Sequence, residues 1–304
     1  MNDIIRISSI EQVHKALGFS APRHPLVSLI PIDKSIVEYD YGDATYVFDF
    51  YQISLKAGII GSVTYGRNSY DFSEGSMIFS KPGQVFQFKE KKMIDEEVEG
   101  GWTLLFHPDL IIKSNLGKNI NQYSFFTYDV SEALHISDEE RATLDQLVAK
   151  IEREYKQNID RHSQKLIIAN IELILDYCLR YYDRQFYMRS NLNQDLISRF
   201  EAMLQQYFDE ERCLDEGIPT VTFCGDSLNM SPQYLSDMLK KETGQTTLQH
   251  IQNFVIERAK VQLLNTKEQV SQIAYGLGFE YPQHFSKLFK AKTGMSPAEF
   301  RTVH

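Results

Sequence analysis

The sequence predicts a two-domain protein. The N-terminal part is an all-β barrel with following helices (α+β), and the C-terminal part is an all-α domain with two helix-turn-helix units joined by a linker helix. Three observations predict this. Short aromatic and β-branched segments alternate with turn signals from Leu26 to Phe106. Apolar residues recur at helical spacing from Leu144 onward. A thirteen-residue motif is repeated near the C-terminus. We expect domains at 1–188 and 189–304, in line with about 150 residues per domain.

Strand composition is clearest at Val47–Ile53 and Gly61–Tyr65. Turn signals such as Lys81-Pro82-Gly83 separate such segments at a spacing of about ten residues, which is typical of a sandwich or a small barrel. The run from Gly75 to Phe86 resembles the strand-turn-strand signature of cupin barrels. We therefore expect a cupin-like barrel as the core of the first domain.

Cupin enzymes usually bind a metal through several histidines, and this segment has no histidine between His24 and His107. Carboxylates alone would hold iron or zinc poorly. We therefore expect no metal, no cofactor and no enzymatic activity; an enzyme built on the barrel is the competing class. The remaining functional interpretation is a cavity for a small-molecule effector, with Tyr46, Phe48 and Phe50 as its predicted walls. The alternative is that these aromatic rings simply fill the barrel.

A helix at about Ser163 to Tyr182 is apolar on nearly all sides and needs cover on more than one of them. We expect one side to pack on the barrel and another to pair with a second copy in a homodimer; the alternative keeps both sides inside the monomer. The polar segment Tyr181–Asn193 is interpreted as a linker, and a further helix carries Leu196 to Tyr207.

The net charge of −9 hides an asymmetry along the chain. From Ile218 to the end there are nine Lys/Arg and seven Asp/Glu, so the preceding residues carry the whole negative excess. This pattern suits a regulatory domain joined to a nucleic-acid module. Three scattered cysteines indicate reduced thiols in a cytoplasmic protein. No signal peptide or membrane span is evident, and we expect no membrane partner.

The repeat reads PQYLSDMLKKETG at Pro232–Gly244 and PQHFSKLFKAKTG at Pro282–Gly294, with six of thirteen positions identical. A short helical segment and a turn precede each copy, and Pro is favoured at the first position of a helix. This is the helix-turn-helix pattern, whose second helix enters the DNA major groove. We place the units at about 221–244 and 270–294. A helix over Thr246–Asn265 would join them and hold them about one DNA turn apart.

The C-terminal part resembles the AraC/XylS family of bacterial transcription regulators. The matching residues include Ile273-Ala274-x-x-x-Gly278-Phe279 and Thr293-Gly294-x-Ser296-Pro297-x-x-Phe300-Arg301. The resemblance covers 193–304 closely and 1–190 more loosely. It implies a sequence-specific regulator in the bacterial cytoplasm whose partner is double-stranded promoter or operator DNA, with RNA polymerase as an open further partner. Two departures are Val255, where members often carry Arg, and Gly225, where Ala is usual.

The resemblance also places base-reading positions on the second helix of each unit. Gln can bond adenine, Lys can donate to guanine, and Asp can accept from cytosine. Lys240 and Lys290 are better placed for phosphate, for which a solvated face is the alternative. A nonspecific DNA-binding protein fits poorly with the acidic total charge. The predicted DNA contacts are Gln233, Tyr234, Ser236, Asp237, Lys240, Pro282, Gln283, His284, Lys287 and Lys290.

Overall fold

A computed structural model of the chain describes residues 4–32, 44–56, 62–65, 68–71, 75–88, 101–129, 132–157, 160, 162–188 and 190–303. The chain divides into two compact units, Met1–Tyr187 and Met188–His304. The first unit is rich in β-strands and the second is helical. The protein therefore has a β-rich N-terminal region followed by a helical C-terminal region.

The described strands of the first unit form two five-stranded sheets. One sheet has the order β1-β3-β8-β5-β6 and the other β10-β7-β4-β9-β2. Pairing is antiparallel except between β1 and β3, which run parallel. The strands are β1 Ile4–Ile7, β2 Val27–Ile32, β3 Thr45–Phe48, β4 Tyr51–Lys56, β5 Ser62–Tyr65, β6 Asn68–Asp71, β7 Ser76–Ser80, β8 Val85–Phe88, β9 Gly101–Phe106 and β10 Leu134–His135.

The strand expected over Val47–Ile53 is two strands, because the chain changes sheet at Asp49 and Phe50. The Asp49 backbone N–H donates to the Ile7 carbonyl at 3.0 Å, and the Asp49 carboxylate pairs with Arg6 at 2.8 Å. These contacts hold the bend against β1. The strand-turn-strand run from Gly75 also crosses between sheets, since β7 pairs with β4 whereas β8 pairs with β3.

The helices of the first unit lie between β1 and β2, between β9 and β10, and after β10 in the chain. They are α1 Ile10–Ala16, α2 Pro108–Ile111, α3 Asn115–Asn119, α4 Asp138–Lys156 and α5 Ser163–Met188, with two 3-10 turns at Ile120–Gln122 and Ser124–Thr127. Aromatic rings fill the space between α5 and β7. The Phe125 ring lies 4.4 Å from Phe79 and stacks on Tyr182 at 5.5 Å.

The predicted linker beginning at Tyr181 is wrong for residues 181–187, which continue α5. Three of its side chains form hydrogen bonds with backbone groups of the first unit. The Tyr182 hydroxyl donates to the Glu132 carbonyl at 3.1 Å, and Arg184 Nη2 donates to the His135 carbonyl at 2.7 Å. The side chain of Gln185 accepts from the His135 backbone N–H at 2.9 Å. Polarity here reflects hydrogen bonding to β10 and its flanks.

Helices of the second unit follow from local end signals. Thr246 caps the linker helix in a capping box with Gln249, and this helix spans Thr247–Asn265 as predicted. Gly244 and Gly294 adopt left-handed conformations and are the C-caps of their helices. The helices are α6 Ser190–Asp209, α7 Cys213–Glu216, α8 Val221–Leu228, α9 Pro232–Thr243, α10 Thr247–Asn265, α11 Val270–Gly276, α12 Pro282–Thr293 and α13 Pro297–Val303.

Among the residues described, no helix combines the length and the apolar character that crossing a membrane would require.

Candidate nucleic-acid interface and a cavity in the first unit

The first helix pair of the second unit is α8 and α9. The Thr220 hydroxyl accepts from the Phe223 backbone N–H at 3.1 Å and caps α8, and Ser231 caps α9 ahead of Pro232. Gly225 is buried where the two helices meet, and a Cβ there would lie 2.7 Å from the Met230 carbonyl oxygen. Gly225 stands where Ala is usual in the family that the sequence resembles, and as glycine it lowers the helix propensity of α8. Its further role is to let the turn approach closely.

The second helix pair is α11 and α12. Gly278 in the turn has φ +87°, a conformation that glycine adopts without strain. A Cβ on Gly278 would also lie 2.8 Å from the Cys213 carbonyl oxygen. Three phenylalanine rings form the small core of this pair. Ring centroids of Phe279 and Phe285 are 5.3 Å apart, those of Phe285 and Phe289 are 5.6 Å apart, and all three side chains are buried.

The linker helix α10 joins the two pairs through buried and polar contacts. Val255 is 1% exposed within the core cluster of the second unit. An Arg at this position would bury a charge, which is costly without a partner. Asn253 bridges the pairs on the polar side. Its Nδ2 donates to Gln245 Oε1 at 2.7 Å, and its Oδ1 accepts from Lys292 Nζ at 2.9 Å.

The outward face of α9 carries most of the first predicted contact set. Gln233 and Lys240 are exposed, and Ser236 and Asp237 are half-buried. Gln233 Nε2 donates to Asp237 Oδ1 at 3.1 Å, so these two side chains already pair with each other. Tyr234 is only 6% exposed and turns its ring into the core. Because α9 places Tyr234 on its buried side with Leu235 and Met238, we remove it from the candidate contacts.

The outward face of α12 brings the second predicted set together. Gln283, His284, Lys287 and Lys290 are exposed and Pro282 is half-buried. Within the described residues, neither Lys287 nor Lys290 forms a direct ion pair. The pKa of Glu299 is lowered first by hydrogen bonds from Ser296 and further by the attraction of Lys290. Helix α12 has three lysines and no acidic residue, whereas α9 has two lysines beside an Asp and a Glu.

A cavity of about 140 Å³ lies in the first unit, and Tyr46, Phe48 and Phe50 all line it. Ring centroids of Phe48 and Phe50 are 5.4 Å apart. Phe50 is also fully buried in a cluster with Ile10, Ile30 and Leu105. This ring therefore fills core space as well as forming a wall.

Sequence reasoning missed the polar side of this cavity, which consists of Gln52, Ser54, Lys56 and Thr103. The signal was present as alternation, since Gln52, Ser54 and Lys56 occupy every second position of an otherwise aromatic and aliphatic strand. Ser54 Oγ and Thr103 Oγ1 are 2.9 Å apart and share a hydrogen bond. Burial lowers the pKa of Lys56 to about 8.

Comparison with known proteins bears on the helical unit. A family model described as "Helix-turn-helix domain" matches residues 224–302. Over 78 residues the chain is 40% identical to the uncharacterized transcriptional regulatory protein YesN of Bacillus subtilis (strain 168). Residues 224–302 are therefore similar to the helix-turn-helix domains of transcriptional regulators. The match to YesN spans 25% of this chain and 21% of that protein.

A second relative matches a longer stretch of the chain. The HTH-type transcriptional activator RhaS of Citrobacter koseri is 28% identical over 157 residues, 51% of this chain and 52% of that protein. The chain thus spans about half or less of these relatives' lengths. Among solved structures, the C-terminal domain of AraT, a response regulator from Geobacillus stearothermophilus, is 29% identical with a TM-score of 0.30. It covers 34% of this chain and 85% of that chain.

Proposed function

We propose that this chain is a sequence-specific DNA-binding transcriptional regulator that acts on promoter or operator DNA in the bacterial cytoplasm. The observation that carries the proposal is the repeated helix pair around α10. In each pair the second helix buries an apolar side and presents polar, hydrogen-bonding side chains outward. Such a helix is the element that reads base edges in the major groove. The named relatives, YesN and RhaS, are transcriptional regulators.

We further propose that both helix pairs are helix-turn-helix units that contact one DNA molecule together. Helix α10 has 19 residues, which at 1.5 Å per residue gives a length of about 28 Å. The flanking helices add to this span, so the two reading helices suit successive major grooves about 34 Å apart on one face of the duplex. The proposed operator therefore has two half-sites about 10 base pairs apart, centre to centre.

The two reading helices would contribute unequally. On α12, Lys287 and Lys290 point outward without ion pairs to other described residues, which leaves them available to DNA. On α9, Asp237 would be repelled by phosphate. Gln233 already donates a hydrogen bond to Asp237, and this bond restricts how Gln233 can meet a base. We propose that α12 anchors the protein and that α9 adjusts sequence preference.

For the first unit we propose a cupin-like barrel that binds a small-molecule effector. Support comes from the cavity whose lining includes both sheets and α1, with Tyr46 and Phe48 as half-buried aromatic walls. Pockets of this kind, mostly apolar with few polar groups, are the usual form of small-molecule sites. We propose no catalytic role for the unit.

We also propose a homodimer through α5, because Leu166 and Leu173 are 45% and 42% exposed two helical turns apart. Sedimentation equilibrium of the full chain should give a dimer, and the double variant Leu166→Glu, Leu173→Glu should give a monomer. Substituting Lys165→Glu, also exposed on α5, provides a charge-matched control that should remain dimeric. A monomeric wild-type chain at tens of micromolar would contradict the dimer.

The regulatory function is tested by selecting binding sites from a randomised DNA duplex with the full-length protein. We expect enrichment of a motif with two conserved blocks separated by about one helical turn. Substituting Lys287→Ala should relax one position in one block only. Recovery of unselected, random sequence after several rounds would contradict specific DNA binding.

A further inference from the structure

The cavity of the first unit has a polar stripe along one wall. Gln52, Ser54 and Lys56 lie on one face of β4, about 7 Å apart in succession. Thr103 on β9 faces Ser54 across the sheet and extends the stripe sideways. The remaining lining is aliphatic or aromatic, so donors are concentrated on one side of an otherwise apolar space.

Two parts of the stripe have hydrogen-bonding capacity left over. Gln52 Nε2 is buried and meets no hydrogen-bond partner among the described residues. The hydroxyls of Ser54 and Thr103 are 2.9 Å apart, so one hydroxyl hydrogen serves their mutual bond and the other is free to donate. Buried donors are nearly always satisfied in native proteins. The structure therefore offers at least two donors to an acceptor within the cavity.

Lys56 adds a positive charge to the same wall. The side chain is half-buried, and burial lowers the pKa of its ammonium group to about 8. At neutral pH the group is thus still mainly charged but less well solvated than a surface lysine. A lysine ammonium has three donors, so Lys56 can keep an existing contact and still donate to a single carboxylate. A phosphate dianion would bring excess charge into an apolar cavity, which is costly.

The size of the cavity limits the rest of the ligand. Its volume is about 140 Å³, and an apolar cavity of roughly 150 Å³ is large enough to hold benzene. Tyr46 and Phe48 both line this space from β3, and their rings can stack on a flat or compact body. The body of the ligand is therefore about the size of one six-membered ring.

We propose that the effector is a small monocarboxylic acid with an apolar or aromatic body of about one ring. Its carboxylate binds Lys56, Gln52 and the Ser54–Thr103 pair, and its body packs on Tyr46 and Phe48. This inference rests on the proposed effector function of the cavity, whose chemistry it specifies. The DNA-binding function does not depend on it.

The test uses the full-length protein and four probes of one shape: benzoate, benzamide, benzyl alcohol and benzylamine. Each competes with 4-fluorobenzoate, whose binding is followed by fluorine NMR line broadening. We expect benzoate to bind at least about tenfold more tightly than benzamide or benzyl alcohol, because charge-assisted hydrogen bonds exceed neutral ones. Benzylamine should be the weakest, since its ammonium faces Lys56.

Variants separate the head-group site from the apolar body site. Lys56→Met should remove the preference for benzoate over benzamide, and Lys56→Arg should restore it. Phe48→Leu, the matched control, should weaken all four probes by a similar factor. Fluorescence of Trp102, the single tryptophan, confirms that each variant keeps the fold of the first unit. We expect 4-fluorobenzoate to bind the Lys56→Met variant weakly. Binding to this variant is therefore followed with fluorobenzamide, which does not need the lysine.

Two outcomes would overturn the inference in distinguishable ways. Equal binding of benzoate and benzamide, or a benzoate preference that survives in Lys56→Met, would reject the carboxylate site and leave a neutral effector in the cavity. Lack of saturable binding by any probe would reject both the acid and an effector of this size. The site-selection experiment judges DNA binding separately.

Discussion

Three glycines of the second unit allow the cost of backbone strain to be separated from the cost of a steric clash. Gly276 ends α11 at negative φ, and a Cβ there would meet no atom within 4 Å. Gly294 has φ +85° but is equally open. Gly278 has φ +87°, and its Cβ would lie 2.8 to 3.0 Å from backbone atoms of Cys213, Gly217 and Ile218.

Alanine at these positions should therefore give a graded series. Gly276→Ala should stabilise the second unit by about 0.5–1 kcal/mol, through helix propensity and a less flexible unfolded chain. Gly294→Ala should destabilise by about 1 kcal/mol, the cost of a left-handed residue with a Cβ. Gly278→Ala adds a clash with backbone that cannot rotate away, and it should cost about 2–4 kcal/mol in total.

Urea denaturation followed by circular dichroism at 222 nm reports on the helices of both units. Trp102 lies in β9, so its fluorescence identifies the transition of the first unit, and the remaining change in ellipticity belongs to the second. Using both probes is necessary because a two-domain chain need not unfold in one step. We expect the order Gly276→Ala, wild type, Gly294→Ala, Gly278→Ala in decreasing stability of the helical transition. A Gly278→Ala protein as stable as Gly294→Ala would refute the assignment of close packing at this turn.

Two further predictions concern the helix pairs. Lys287→Ala should cost about 1–3 kcal/mol of specific binding and relax the preference at one base position, whereas Lys290→Ala should weaken binding to all sequences alike and lower its salt dependence. Fluorescence anisotropy on operator and random duplexes measures both effects. Equal losses on the two DNAs for both variants would contradict the assignment. Gly225→Ala should destabilise the helical unit despite the better helix propensity of alanine, because the Met230 carbonyl oxygen lies 2.7 Å from the new Cβ; a rise in its urea midpoint would show that the turn relaxes freely.

The helical unit could be predicted well because its signals are local. Pro at the start and Gly at the end of each reading helix, together with the capping residue Thr246, fix boundaries within a few residues of themselves. Whether Tyr234 faces DNA or the core depends on which side of α9 packs inward, and a single helical turn of sequence does not decide this.

The first unit was harder, because its key contacts join residues far apart in the chain. Tyr182 and Gln185 were taken for linker residues since only their polarity is visible in sequence. Their partners, Glu132 and Ala133, lie some fifty residues earlier. Likewise Phe50 and Lys56 acquire their roles from the fold of two sheets around one cavity, and strand composition alone gives no position for a ligand's charged group.

The two bonds made by Asn253 have a consequence for operator geometry. This amide connects Gln245, just after α9, with Lys292 near the end of α12. If both helices bind one duplex, a base pair added or removed between the half-sites turns one groove by about 34–36° relative to the other and stretches or breaks these bonds. We therefore expect Asn253, which lies between the two helix pairs and contacts no base, to set how much variation in half-site spacing the protein tolerates.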